Sequence, residues 1–428
     1  MRTPALGKTA LIDGEGTPLL TAGIDVQSLL ERLRALAESA PAAKGPGVTR
    51  LAWSEADLRG RALLADIVGA AGVAATTDAV GNLIAEWPGS NPGLPPLVVG
   101  GHIDTVVEAG ALDGAYGTVA AFEIVAALAR AGDHLRHPVR AVSWVNEEGV
   151  VAPPFTGSLV AAGEGVDVLA TGPDDVTLEE RIRAAGGSPE RIPEARWGPL
   201  AGYLELHVEP GPVLDNLDVA IGVVTGITGG RRGTISITGR ADHAGTTPMH
   251  LRSDALLAAL PLVKAIEELA TDGPVEVATV GSLVVHPGVG NVVPGRVVMT
   301  YDIRSLDDAA CDEAVGRLRS LVAGVAESNA ITVSLSRSSA SEAVHTDPVL
   351  REIVAEAAEG LGHATVELAS GAGHDAQHLA AIAPTGMIFV PGPGGVGQAL
   401  ETTPPERLLA GAQTLFAALR LADSRLDP

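Results

Sequence analysis

Two apolar runs, each ending in a cluster of metal-ligand-type side chains, constrain this chain more than any other feature. PLVVGGHID (96–104) and VRAVSWVNEEG (139–149) are short, rich in valine and finish in imidazole or carboxylate. Such runs suit strands buried on both faces. Between them, TVAAFEIVAALARAG (118–132) has helical spacing. SEADLRGRALLADIVGAAG (54–72) precedes them as a second predicted helix, with Ser54 as its N-cap. VQSLLERLRALAES (26–39) is a third, after a loose leader over 1–24. Strand, loop and helix in alternation predict an α/β layered domain. Ligands in such domains collect at the carboxyl ends of strands, where these polar clusters fall.

The middle of the chain reads differently. VVTGITGGRRGTISITGR (223–240) is predicted as a strand pair, and SDALLAALPLVKAIEELA (253–270) as a helix kinked at Pro261. Strands EVATVGSLVV and RVVMTYDIRS, a helix near 306–328 and the strand ITVSLSRSS follow. That order, β-α-β-β-α-β, is a small ferredoxin-like unit. The α/β character returns from about residue 342. The expected organisation is therefore one domain of residues 1–215 and 342–428, with a second domain, 216–341, inserted.

Composition excludes several partners. Lys and Arg total 29 against 52 Asp and Glu, a formal net charge of −23. A nucleic-acid or anionic-membrane partner needs clustered basic charge, so neither is expected. No apolar run reaches the length of a membrane span, and the start has no signal-peptide core. The single cysteine, Cys311, cannot form an intramolecular disulfide, which fits a cytoplasmic protein.

Six clusters carry chemistry. GGHIDTVVEAGALDG (100–114) holds His102, Asp104 and Asp113, ligand types suited to zinc or manganese. Asp104 is placed to orient His102 from outside the coordination sphere. In NEEG (146–149), one glutamate can hold metal while the other acts as general base. YLELHVEPGP (203–212) brings His207 at the end of an alternating strand. RADHAGTTPM (240–249) brings His243, and GNVVPGRVVMTYDIR (290–304) brings Asn291 and Arg304. A bidentate arginine suits a substrate carboxylate, though an ordinary salt bridge uses the same residue. SGAGHDAQHL (370–379) reads by itself as a helix N-terminus.

Together the clusters resemble one family of dinuclear metal amidohydrolases. It contains N-carbamoyl-L-amino acid hydrolase, β-ureidopropionase of the bacterial and yeast type, and allantoate amidohydrolase. The resemblance runs from about residue 25 to the C-terminus and is carried by ELHVEPGPVL, GRADHAGTTPMHLRSDALLAA and SGAGHDAQHLA. It implies an aminopeptidase-like three-layer catalytic domain and an inserted ferredoxin-like domain serving as lid and dimerisation element. It implies two divalent ions, Zn²⁺ or Mn²⁺. His102 and His207 would bind one ion, Asp113 would bridge, and Glu148 would bind the second. Glu147 would be the general base. His243, Asn291 and Arg304 would meet a small carboxylate-bearing substrate, with the backbone of Gly371 or Gly373. By resemblance the lid histidine serves the partner subunit's site in a homodimer.

The resemblance also marks departures. In VPGPGGVGQALE (390–401), Gln398 stands where the family places the terminal histidine of the second metal. An amide oxygen is a harder, weaker ligand than imidazole, so the second site is expected to be weak or empty. Val151, Ala152 and Pro210 replace an arginine, an aromatic residue and a glutamine. Ala111 stands at a position often occupied by a polar residue. His286 or His378 could substitute for the missing ligand, although their default readings are a loop residue and a helix-face residue. The expectation is hydrolysis of a linear C–N bond by metal-activated water. The alternatives are a repurposed or mononuclear member acting on a specialised amide or in a non-hydrolytic step, and a non-catalytic binder of a small carboxylate.

Overall fold

The computed structural model describes residues 24–40, 45, 47–329, 331–392 and 402–426. The strands are β1 (Ala75–Thr77), β2 (Leu83–Trp87), β3 (Leu97–His102), β4 (Val139–Trp144), β5 (Gly202–Val208) and β6 (Ile221–Ile227). There follow β7 (Gly229–Thr238), β8 (Val277–Thr279), β9 (Leu283–His286), β10 (Arg296–Ser305) and β11 (Thr332–Ser341). The last are β12 (Val344–His345), β13 (Thr365–Ser370) and β14 (Thr385–Val390).

The larger sheet runs β1-β2-β4-β3-β5-β14-β6-β12, with β13 also on β6. Its centre is parallel: β4, β3, β5 and β14. Strand β3 lies between β4 and β5, so chain order reverses there and a crevice opens at the carboxyl ends. Both faces are covered. On one, Leu204, Leu206, Ile388 and Val390 join a core with the helices Ala115–Ala131, Pro348–Gly360 and Pro405–Arg425. Phe122 and Ile124 are fully buried in it, each contributing about 1.5–3 kcal/mol. On the other, Glu205 accepts the amide of Ala376 at the start of the short helix Ala376–Leu379. This is the expected three-layer α/β architecture.

Local rules explain the boundaries. Ser54 caps the helix Glu55–Gly69, its hydroxyl accepting the Asp57 amide at 3.3 Å. Ala115–Ala131 ends at Gly132, which takes the left-handed conformation that glycine adopts without strain. Gly117 lets this helix lie directly on β5, because a Cβ there would overlap the Leu206 carbonyl.

A separate unit, Gly226–His345, has its own core. The chain divides between Thr225 and Gly226 and between His345 and Thr346. Its antiparallel sheet runs β11-β7-β10-β8, with β9 also on β10, so β8 and β9 act as one interrupted strand. Helices Ala255–Thr271, which continues through Pro261, and Asp308–Asn329 pack on it through Ala258, Leu262, Ala314 and Leu318. The βαββαβ order is the expected one.

The strand pair expected over 223–240 does not form. Strand β6 pairs with β14 and β12, whereas β7 pairs with β10 and β11. Only Thr228 separates β6 from β7, and a hairpin loop takes at least about two residues. His286 also lies in a strand, β9, rather than in a loop.

Candidate metal centre

Three neighbouring strands deliver the first donors. His102 is the last residue of β3, and His207 is one residue from the end of β5. Glu147 and Glu148 follow β4, after Asn146 turns the chain with φ of 57°. The alternation in β5 does not separate buried from solvated faces, because every residue of the strand is buried. Tyr203, Glu205 and His207 instead form a buried polar row.

The two histidines are oriented alike. Nδ1 of His102 donates to the Asp104 carbonyl at 2.9 Å, and Nδ1 of His207 to the Val208 carbonyl at 2.7 Å. A carbonyl only accepts, so each proton sits on Nδ1 and each Nε2 can offer a lone pair. His207 Nε2 is 3.1 Å from Asp113 Oδ1. His102 Nε2 is 3.8 Å from Asp113 Oδ1 and 3.8 Å from Glu147 Oε2. Gly114, at φ of 59°, allows this approach; a Cβ there would overlap the His102 ring.

Two donor groups result: His102, Asp113 and His207; and His102, Glu147 and Glu148, each with ligand atoms within 4.8 Å of one another. His102, Asp113, Glu147 and His207 are buried, and Glu148 is half-buried. Burial first, then the neighbouring carboxylates, hold the Glu147 carboxyl well above the usual range and push Glu148 to about 8. Desolvation would lower His207, but the Asp113 carboxylate raises it to about 9. A donor set of two imidazoles and three carboxylates fits a divalent metal.

The surroundings are also organised. Asp104 does not present its carboxylate to His102 within hydrogen-bonding range; the closest approach is 3.9 Å. That carboxylate instead accepts the amides of Glu147 at 3.2 Å and Glu148 at 3.1 Å. A cavity of about 390 Å³ adjoins the cluster, walled by Val106, Pro210, Ala372, Gly373 and His374. Gly373 is in that wall and Gly371 is not among its residues. His374 is the residue the sequence reading left unassigned. It sits 2% exposed with its ring 4.7 Å from that of His207. Its motif gave the signal, but its burial depends on packing that spacing does not encode.

The remaining described candidates belong to neither donor group. His243, Asn291 and Arg304 belong to the Gly226–His345 unit. His243 bridges to Val292, and Asn291 accepts the Ala244 amide through its carbonyl. The Arg304 guanidinium pairs with Asp302 at 3.0 and 2.7 Å. His378 pairs with Glu164 at 3.2 Å and, with His286, is absent from both donor groups. Gln398 lies outside the described residues.

A parallel-centred α/β sheet with imidazole and carboxylate gathered at its carboxyl edge defines a metallohydrolase of the aminopeptidase type. Residues 98–421 match the peptidase family M20/M25/M40, and the chain belongs to that family. It is 35% identical to an N-carbamoyl-L-amino-acid amidohydrolase of Paenarthrobacter aurescens, covering 89% of this chain and 94% of the other. It is 30% identical to a ureidoglycolate hydrolase of Arabidopsis thaliana over 90% of this chain and 84% of the other. The crystal structure of an amidase of the hydantoinase/carbamoylase family from Burkholderia multivorans superposes with a TM-score of 0.90 at 35% identity, covering 96% and 100%.

Proposed function

We propose that the protein hydrolyses a linear C–N bond, in an N-carbamoyl, ureido or amide group, of a small carboxylate-bearing substrate. The observation that carries this reading is the convergence of the His102 and His207 Nε2 atoms on the Asp113 carboxylate, beside the buried Glu147. His102, Asp113, His207 and Glu148 would hold divalent metal, with Gln398 as the weaker donor toward a second ion. The metal supplies Lewis-acid polarisation of the scissile carbonyl and acidifies a water molecule.

Glu147 accepts the proton of the attacking water at its carboxylate and returns it to the departing nitrogen. An N-carbamoyl substrate then yields the amine, CO₂ and ammonia; an amide yields amine and acid. Arg304 and Asn291 bind the substrate carboxylate, His243 stabilises the tetrahedral oxyanion, and the Gly373 backbone completes the wall. The Gly226–His345 unit serves as lid and homodimer contact. Among the described residues no helix is long and apolar enough to cross a membrane.

The test is Glu147→Gln assayed on N-carbamoyl amino acids, ureidoglycolate and aliphatic N-acyl amino acids. Loss of turnover by about 10²–10⁴ with fold and metal content intact is expected; unchanged turnover removes Glu147 from the role. Pro210 in the cavity wall favours a second reading, a specialised amide with an apolar group at that wall. Turnover of N-acyl but not N-carbamoyl substrates would select it.

A further inference from the structure

Beneath the metal centre lies a carboxylate that the hydrolytic reading does not use. Glu205 is fully buried on β5, two residues before His207. Its Oε2 accepts the Tyr203 hydroxyl at 3.0 Å and the Ala376 amide at 2.9 Å. The Tyr203 hydroxyl is itself fixed by the Trp144 indole N–H at 3.0 Å, so strands β4 and β5 both hold this oxygen in place. Its Oε1 has no hydrogen-bond partner among the described residues. The His374 imidazole lies near Oε1, its Nδ1 3.8 Å away, beyond hydrogen-bonding range but close enough for the carboxylate charge to favour a proton there. The adjacent Asp375 is turned to Ser158, whose hydroxyl donates to it at 2.6 Å.

We infer that Glu205 is a positioning residue that orients the His374 imidazole and, through it, the cavity wall at residues 372–374. A glutamine would satisfy Tyr203 and Ala376 equally well, so those bonds do not account for a charge at this position. The charge stands beside His374 and also acts on His207, two residues along β5. A carboxylate beside Nδ1 favours the tautomer with its proton there. Nε2 then accepts from the Ser370 hydroxyl, 2.9 Å away, and that hydroxyl accepts the Ala372 amide at 3.2 Å. The chain Glu205–His374–Ser370–Ala372 thereby locks the wall from behind. With a neutral amide at 205, the NH₂ group faces Nδ1. The proton moves to Nε2, and Ser370 turns its hydrogen to the Ala372 carbonyl, 2.9 Å away.

The first readout needs no turnover. In zinc-loaded protein labelled with ¹⁵N-histidine, His374 is identified by its loss in His374→Asn. Wild type should show a protonated Nδ1 and a bare Nε2, and Glu205→Gln should show the reverse. A protonated Nε2 in wild type overturns the inference, even if Glu205→Gln fails to fold. So does an unchanged tautomer in the variant. The second readout rests on the hydrolytic reading and uses N-carbamoyl-L-alanine. Glu205→Gln should lower kcat about tenfold at unchanged metal content, with KM changed far less. It should have no further effect in a His374→Asn background. An equal loss in both backgrounds, a loss of metal, or kcat within about twofold of wild type overturns the inference. A wild type inert toward this probe counts against that substrate reading, and the tautomer then decides on Glu205 alone.

Discussion

Oδ1 of Asp104 accepts the backbone N–H of Glu147 at 3.2 Å, tying the loop after β3 to the loop after β4. The other oxygen of the same carboxylate takes the next amide, that of Glu148. A residue at the end of one metal-bearing strand therefore sets where two carboxylates from the neighbouring strand stand. The His102 side of the site is fixed by the same residue through its carbonyl. Asp104 thus coordinates the relative placement of three donor side chains.

Asp104→Asn tests this coupling. Asparagine keeps one acceptor but turns an NH₂ group toward the second amide, so one hydrogen bond is lost and donor faces donor. A hydrogen bond to a buried charged group is worth about 1.5–3 kcal/mol. The expected outcome is a lower melting temperature and a fall of about 10–100-fold in metal affinity or kcat/KM. Both are checked by calorimetry and by metal retention after dialysis. Wild-type values in both would mean that the 147–148 turn holds its own shape.

Gly114→Ala should empty the centre while sparing the fold. The new Cβ must overlap the His102 imidazole, and φ of 59° is unfavourable for alanine. The ring must swing away, which breaks the convergence of His102 on Asp113. Unchanged far-UV circular dichroism with a metal content well below wild type is the expected pair of results. Full metal content would show that the strand end relaxes around the methyl group.

The donors were legible in the sequence for a physical reason. His102, Glu147 and Glu148 end or follow short apolar runs, and parallel strands place such ends along one edge. The alternation of Tyr203, Glu205 and His207 was equally visible but misleading, because a short helix covers the face that alternation normally gives to water. His374 and Asp375 carry no site role in the sequence alone, because a Gly-rich segment before a helix reads as capping until β5 is packed under it. Likewise, two adjacent β-patterns over 223–240 carried no mark that they belong to different sheets. Strand existence is a local property, whereas pairing and burial are not.

Arg304→Lys should separate binding from chemistry. The guanidinium is paired in fork geometry with Asp302, which fixes its plane. Lysine keeps the charge but not the fork. The loss of one charge-assisted hydrogen bond, about 1.5–3 kcal/mol, predicts a rise in KM of about 10–100-fold. The kcat should change far less. Steady-state kinetics on a substrate and its carboxamide analogue provide the check. An equal effect of the mutation on both would show that Arg304 does not meet the carboxylate.

Gln398 sets the last expectation. The described donors can surround one ion with His102, Asp113 and His207, but the second group borrows His102 and otherwise holds only Glu147 and Glu148. If Glu147 is kept for proton transfer, a second ion would depend on Glu148, on sharing Asp113 and on whatever residue 398 contributes. An amide oxygen there binds more weakly than imidazole, and most weakly relative to it for zinc. Wild-type protein refilled with Zn²⁺ and dialysed should therefore keep close to one tightly held ion per chain. Refilling with Mn²⁺ should narrow the gap between the two sites. Gln398→His should raise the retained zinc toward two per chain, measured by plasma mass spectrometry. The extra ion should also raise the melting temperature, because a ligand that binds only the folded state at about a hundredfold over its Kd adds about 2.7 kcal/mol. Two zinc ions held equally well by wild type would show that the terminal position does not limit the second site, and that another residue completes it.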